Sequence, residues 1–287
     1  MAVVLMEAEK IRFAYSAGPW VLDGISFRLH EGERVAVLGA NGAGKSTLLH
    51  LLMGLHHACE GTIRLSDHPV PRTRAGQRLL QRGVGLVLQD PDDQLFAETV
   101  LADVVFGPLN AGLPPDEAED RGLRALREMN IHALASRRIS TLSLGQKKKV
   151  ALAGILAMDP KVLVLDEPTA GLDHNGGEAL IQALLAKSRQ GVAIVFATHD
   201  TDLALAWADR VLVLESGVLA ADGSPRQLLA DRQLCQRAGL RLPLLSAVAL
   251  QLRQQLVLDP DIELPATPEQ LAEWLQHSLA NRQGVLR

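Results

Sequence analysis

Apolar and polar positions along the 287 residues fall into two regimes. Up to about residue 225, short β-branched runs alternate with segments of helical period, and beyond Pro225 only helical spacing remains. Residues 7–13 and 25–29 alternate faces, with a break at Gly18-Pro19 and an expected turn at Asp23-Gly24, which predicts an antiparallel flap. The opening residues 1–6 are apolar, lack a basic leader and run into Glu7, Glu9 and Lys10, so they read as an edge strand and not a signal peptide. Residues 34–38 form an apolar strand followed by a glycine-rich turn and a helix starting near Lys45. Residues 84–88, 162–165 and 192–197 are short and non-alternating, as expected for central strands of a parallel sheet covered on both faces. Between the first two, residues 92–159 carry helical periodicity and predict an inserted helical subdomain. A hairpin-like pair, residues 210–214 and 218–221, turns around Glu215-Ser216-Gly217. The predicted organisation is a doubly wound α/β domain over residues 1–229 and a helical extension over 230–287.

Composition narrows the classes this pattern can serve. Apolar residues make up 47% and aromatic residues 3% of the chain, so the core must be built from Leu, Val, Ile and Ala, and stacking on bases is not supported. Twenty-nine basic against thirty-three acidic residues leave a net charge of -4, which offers no cationic field for a nucleic-acid backbone. Nucleic acid is therefore not an expected partner. Cys59 and Cys235 have neither the number nor the spacing of a disulfide framework or zinc site, which fits a reducing compartment. No run approaches the roughly 18 uninterrupted apolar residues of a membrane span, so a membrane role must be borrowed from another chain. His56, His57 and Cys59 lack a second half for a metal site and read as a solvated loop.

Chemistry concentrates at two places. Gly39-Ala40-Asn41-Gly42-Ala43-Gly44-Lys45-Ser46 matches G-x-x-x-x-G-K-[ST] between a strand and a helix, the context of a phosphate-binding loop, and Thr47 follows it. Its glycines let backbone N-H groups curl around phosphate oxygens; Lys45 neutralises β/γ charge, and Ser46 offers a hydroxyl to Mg²⁺. Residues 162–165 lead into Asp166 and Glu167, paired carboxylates at the carboxyl end of a strand. Asp166 is placed to hold Mg²⁺, directly or through water, and Glu167 to orient and activate an attacking water.

Leu142-Ser143-Leu144-Gly145-Gln146 resembles the L-S-G-G-Q signature of ABC ATPases. Gln89, at a strand end, resembles the Q-loop glutamine of that family. His199 in Ala197-Thr198-His199-Asp200 resembles its switch histidine, and Ala170-Gly171-Leu172-Asp173 its D-loop. Tyr15 matches the aromatic on which adenine stacks. The resemblance spans roughly residues 7–228. It implies a P-loop NTPase fold with an antiparallel β flap, a mainly parallel central sheet and a helical insert. It also implies ATP and Mg²⁺ as cofactors, with Ser46, Gln89 and Asp166 around the metal and Glu167, His199, Lys45 and Gln89 serving hydrolysis. Nucleotide contacts are implied along residues 39–47 and at Tyr15, Gln89, Ser143, Gly145, Gln146, Asp166 and Asp173. Two positions depart from the family pattern: Leu144 replaces the first signature glycine, and His174 stands where proline often follows the D-loop Asp. Lys147, Lys148 and Lys149 read as a solvated helix face.

Family geometry sets the signature of one copy over the phosphate loop of another, so a second ATPase subunit is the expected partner, as a homodimer or with a paralogue. The stretch from Gln89 through Phe96, followed by Asp103-Val104-Val105-Phe106-Gly107-Pro108, looks like the variant in energy-coupling-factor importers. Within that group the chain is most similar to ATPases of cobalt importers; nickel relatives share nearly all of these features and vitamin importers most. The resemblance implies a transmembrane coupling subunit, a substrate-binding membrane subunit and a peripheral location on the cytoplasmic face of the membrane. Leu95 and Phe96 are expected anchors for a short membrane-subunit helix. In the tail, Leu245, Val248, Leu252 and Leu256 form one apolar stripe and Leu271, Trp274, Leu275 and Leu279 a second, either pairing with another copy or folding back on their own domain. A DNA-repair ABC ATPase would need a long coiled coil or zinc insert, and a GTPase would need N-K-x-D; neither is present.

Overall fold

The computed structural model describes residues 3–16, 18–256 and 265–285. The first half of the chain contains β1 (Val4–Phe13), β2 (Leu22–His30), β3 (Arg34–Leu38), α1 (Lys45–Leu52), β4 (Glu60–Leu65), β5 (His68–Pro69), α2 (Arg74–Gly83), β6 (Val84–Val87), α3 (Val100–Asn110) and α4 (Pro115–Glu128). It continues through α5 (Leu144–Leu156), β7 (Val162–Asp166), α6 (His174–Arg189), β8 (Ala193–Ala197), α7 (Thr201–Trp207), β9 (Arg210–Glu215) and β10 (Val218–Gly223). The tail holds α8 (Pro225–Leu228), α9 (Arg232–Arg237), α10 (Leu244–Leu256) and α11 (Pro268–Val285). Two compact units result, Met1–Arg34 with Ser46–Ala197, and Val35–Lys45 with Thr198–Arg287.

In the first unit an antiparallel sheet runs β2-β1-β4-β5. The predicted flap is there, but its details differ from the sequence reading. β1 lies inside the sheet, paired with β2 on one side and β4 on the other, and is not an edge strand; Met1 and Ala2 lie outside the described residues. Asp23-Gly24 is not a turn. It sits within β2 at a register shift, where Ile11 faces Ile25 but Phe13 faces Leu22, and Gly24 supplies the φ of 74° that such a bulge requires. β4, β5 and α2 went unpredicted: β4 alternates on one face only, through Ile63 and Leu65, and its partner β1 lies some fifty residues upstream. His56, expected in a solvated loop, stacks on Phe13 at 5.2 Å between ring centroids.

The parallel strands β6, β7 and β8 of this unit are nearly fully buried, as continuous apolar runs demand. β6 ends the strand order, so residues 84–88 are not a central strand. Residues 92–159 form α3, α4 and α5 with short 3-10 turns and a single bridge, Thr99 to Arg138. Thr99 caps α3, accepting from the Ala102 N-H, and buried Asp103 accepts the N-H groups of Phe96 and Ala97, which fixes the chain entering the insert.

In the second unit β3 runs parallel to β9, and β10 returns antiparallel to β9 as the predicted hairpin. The tail helices pack on each other: Ala249 and Trp274 are buried together, with Ala230, Leu250, Leu252, Leu271 and Leu275 around them. The stripe of α10 is rotated from its predicted position. Ser246 and Ala249 are buried while Leu244 is 67% and Val248 36% exposed. The side chains of Leu256 and Leu279 lie outside the described residues. Among the described residues no helix is long and apolar enough to cross a membrane.

Candidate functional site

The phosphate loop leaves β3 at Leu38 and enters α1 at Lys45. Its first glycine leaves no room for a side chain unless its surroundings shift: Gly39 has φ 152°, and a Cβ there would run into the Leu214 carbonyl. Lys45 Nζ donates to the carbonyls of Gly39 and Ala40 at 2.7 and 3.1 Å, so its ammonium lies against its own loop. Ala43 and Gly44 are buried, Asn41 and Gly42 exposed. Ala40 has the αL Gly239 packed behind it, where the chain turns after α9. His199, also in this unit, is exposed just beyond β8. Next to it the Thr198 N-H donates to the Val37 carbonyl, and Asp200 caps α7.

In the other unit, Ser46 and Thr47 on the first turn of α1 each meet a predicted site residue. Ser46 Oγ donates to Asp166 Oδ2 at 3.2 Å, joining the loop serine to the strand-end carboxylate across 120 residues of sequence. A hydroxyl beside a carboxylate is a hard oxygen pair, the donor chemistry that suits Mg²⁺. The Thr47 hydroxyl lies 3.1 Å from Tyr15 Oη, while the Tyr15 ring is half exposed and edge-on to Phe13 and His56. A ring half exposed and braced edge-on by two others suits a stacking platform. His50, also on α1, is held below its ordinary pKa by burial and by neighbouring His56, with Asp166 opposing.

Glu167 follows Asp166 with φ 45°, left-handed for a residue with a side chain, and its N-H donates to the Ala197 carbonyl. Its neighbours reach it from α5. Ser143 caps α5 in a reciprocal capping box, its Oγ accepting from the Gln146 N-H and the Gln146 Oε1 accepting from the Ser143 N-H. The signature is thus a helix start whose serine is exposed and whose glutamine carbonyl is already used. Leu144, at the departing position, is 41% exposed, and its side chain is met by Gly171 of the D-loop segment. Asp173 caps α6 through the Gly176 N-H at 2.7 Å, and His174 simply begins that helix. Gln89 is exposed just past β6; the side chain bridging the end of that strand is Gln94, bonded to Leu86 and Leu88.

One residue of this region was misread. The three lysines after the signature are not a uniform solvated face: Lys148 is 3% exposed, its Nζ directed at the carbonyls of Glu167, Pro168 and Ala170. Burial pulls its pKa below the ordinary lysine value, opposed by Asp90 and Glu167. Its position on α5, two residues after Gln146 and on the same face as buried Ala151 and Leu152, three and four residues on, was the only signal available in the sequence.

The profile of the ABC transporter family matches residues 22–170. The energy-coupling factor transporter ATP-binding protein EcfA of Methanothermobacter thermautotrophicus is 40% identical over 96% of this chain and 88% of its own length. The cobalt import ATP-binding protein CbiO of Rhodobacter capsulatus is 44% identical over 93% and 96%. Among solved structures, cbiO1 from Clostridium perfringens, part of the ABC transporter complex cbiONQ, superposes with a TM-score of 0.75 at 39% identity, covering 85% of this chain and 98% of that one. The phosphate loop, the strand-end carboxylates, the capped signature helix and these relatives together show that the chain belongs to the ABC transporter family, as one of its ATP-hydrolysing subunits.

Proposed function

We propose that this chain hydrolyses ATP to drive an energy-coupling-factor importer of a transition-metal ion, with cobalt as the cargo. The observation that carries the ATPase part is the Ser46–Asp166 hydrogen bond, which gathers two hard oxygen donors at the edge of the phosphate loop. With Gln89 they would hold Mg²⁺, which supplies charge neutralisation at the β/γ-phosphates when bound. Lys45 and the loop N-H groups bind the phosphates, Tyr15 stacks on adenine, Glu167 orients the attacking water as general base, and His199 serves hydrolysis from the adjacent strand end. Ser143, Gly145, Gln146 and Asp173 complete the cradle from a second copy. The exposed Ser143 hydroxyl at a helix N-terminus supports that reading, because such a terminus attracts phosphate.

The cargo reading rests on the relative named for cobalt import, CbiO of Rhodobacter capsulatus. A membrane-subunit partner is supported by the exposed edge-on pair Phe96 and Phe106, 4.5 Å between centroids, with Leu109, Asp92 and Asp93 exposed close by in sequence. These suit an amphipathic membrane-subunit helix with basic flanks, and support a position on the cytoplasmic face of the membrane. Leu95, expected as an anchor, is buried in the fold and drops out in favour of Phe106. Residues 230–287 form an extension whose exposed Leu244 and Val248 pair two copies. Purification of the complete membrane complex tests the whole proposal. Expected are a coupling subunit, a substrate-binding subunit, two ATPase copies that separate when the chain ends at Ala230, and ATP-dependent uptake of Co²⁺. Uptake of Ni²⁺ or a vitamin in place of Co²⁺ would replace the cargo, and a chain that purifies without membrane subunits would overturn the transport role.

A further inference from the structure

Lys148 is a buried cation whose contacts are not carboxylates. Its three N-H donors face three main-chain carbonyls, Ala170 at 2.6 Å, Pro168 at 3.2 Å and Glu167 at 3.5 Å. Burying an ammonium is expensive, and an apolar side chain of similar length would fill the same space without that cost, so packing alone gives no reason for a lysine here. The carbonyls it gathers all belong to the segment joining β7 to α6. That segment begins with the left-handed Glu167, a conformation disfavoured for a residue with a side chain, and tightens into a turn in which the Ala170 N-H donates back to the Glu167 carbonyl. A strained turn persists only where its surroundings over-determine it, and Lys148 is the side chain that grips both ends of this one.

Lys148 also sits two residues beyond the signature glutamine on α5, a helix whose start is fixed by the Ser143–Gln146 capping box. The preceding residue reaches a different segment: Lys147 Nζ pairs with Asp92 Oδ1 at 2.6 Å, in the 3-10 turn Pro91–Asp93 that follows β6. Consecutive residues of one helical turn thus hold two separate loops.

We propose that Lys148 is a positioning residue for the catalytic carboxylate, tying the signature helix α5 to the backbone of Glu167, Pro168 and Ala170 so that signature and carboxylate of one chain move as a unit. The proposal rests on Glu167 acting as the general base. Movement of α5 then carries the water-activating group with it, and loss of the tether leaves the nucleotide site intact but its base misplaced.

The test is steady-state ATPase of the full-length chain, with ATP affinity and thermal unfolding measured on the same samples, for Lys148→Met, Lys148→Arg, Lys147→Met and Glu167→Gln. Lys148→Met is expected to lower kcat about 10- to 100-fold while KM and ATP affinity stay within about twofold, the signature of a misplaced group rather than a lost binding contact. Lys148→Arg, which keeps charge and donors, should recover most of kcat, and Lys147→Met, an ion-pair change outside that cage, should leave basal turnover unchanged. If Lys148→Met does not fold, Lys148→Leu, which also lacks a donor, is read on the same axes. Wild-type kcat in the Met or Leu variant beside an inactive Glu167→Gln would overturn the tether and leave Glu167 in its role. Turnover by Glu167→Gln would remove the base itself and the tether with it. Parallel loss of affinity and kcat without rescue by Arg, or an equal loss in Lys147→Met, would make Lys148 a scaffold residue and overturn the proposal.

Discussion

The glycine-rich loop and the segment from the signature to the D-loop both belong to the proposed nucleotide site, yet they are shaped by different means. The loop is shaped by backbone: Gly39 at φ 152° lies where no Cβ fits against Leu214, and Lys45 closes on carbonyls of its own loop. The signature side is shaped by side chains. A serine and a glutamine cap α5, an aspartate caps α6, and a buried lysine grips carbonyls 19 to 22 residues away. Backbone-shaped sites advertise themselves in contiguous motifs, because the conformation and the glycines that permit it are neighbours in sequence. Side-chain-shaped sites depend on contacts made only after folding, so the same chemistry leaves a fainter trace.

That contrast breaks most sharply at Glu167, the proposed general base. Glu167→Gln keeps the shape of the turn and removes the carboxylate, so turnover should fall about a thousandfold with ATP binding retained. Single-turnover hydrolysis set beside nucleotide titration reads both, and turnover near the wild-type rate would take Glu167 out of the mechanism. Next in size is the loop. Gly39→Ala forces a side chain into a left-handed φ against a carbonyl and should cost about 2 to 3 kcal/mol of stability together with nucleotide affinity. Urea denaturation and ATP titration measure it; a neutral result would mean that the loop is held by side chains after all. The smallest effect is expected at the signature cap. Ser143→Ala removes one arm of the capping box and should destabilise α5 by about 1 kcal/mol, with a far larger fractional loss of turnover if a second copy uses that hydroxyl. Equal and small changes in stability and turnover would confine Ser143 to the cap.

Particular residues show where reading the sequence sufficed. The strand–loop–helix at residues 34–52, the apolar strand ending in Asp166 and Glu167, and the hairpin of β9 and β10 were legible because each is coded within a few neighbours. β4 was not, since half its residues face solvent and its pairing with β1 spans the whole phosphate-loop helix. Leu95 and Phe96 looked equivalent as adjacent apolar residues, but packing buried one and left the other 64% exposed. The stripe of α10 was found but turned about its axis, because Trp274 of α11 chose which face to cover.

By itself the sequence determined the glycine-rich turn between a strand and a helix, the two carboxylates that end a strand, and the family to which their order belongs. The tertiary structure alone decided the tethers and the faces. It paired Ser46 with Asp166 across 120 residues, buried Lys148 beneath the turn of Glu167, and left Phe96 and Phe106 uncovered. The physical reason is range. Backbone conformation and strand burial are set by residues a few positions apart, whereas the surroundings of a side chain are set by whichever distant elements pack against it, and identical residues in one run can meet different partners, as Lys147 on a carboxylate and Lys148 on carbonyls do.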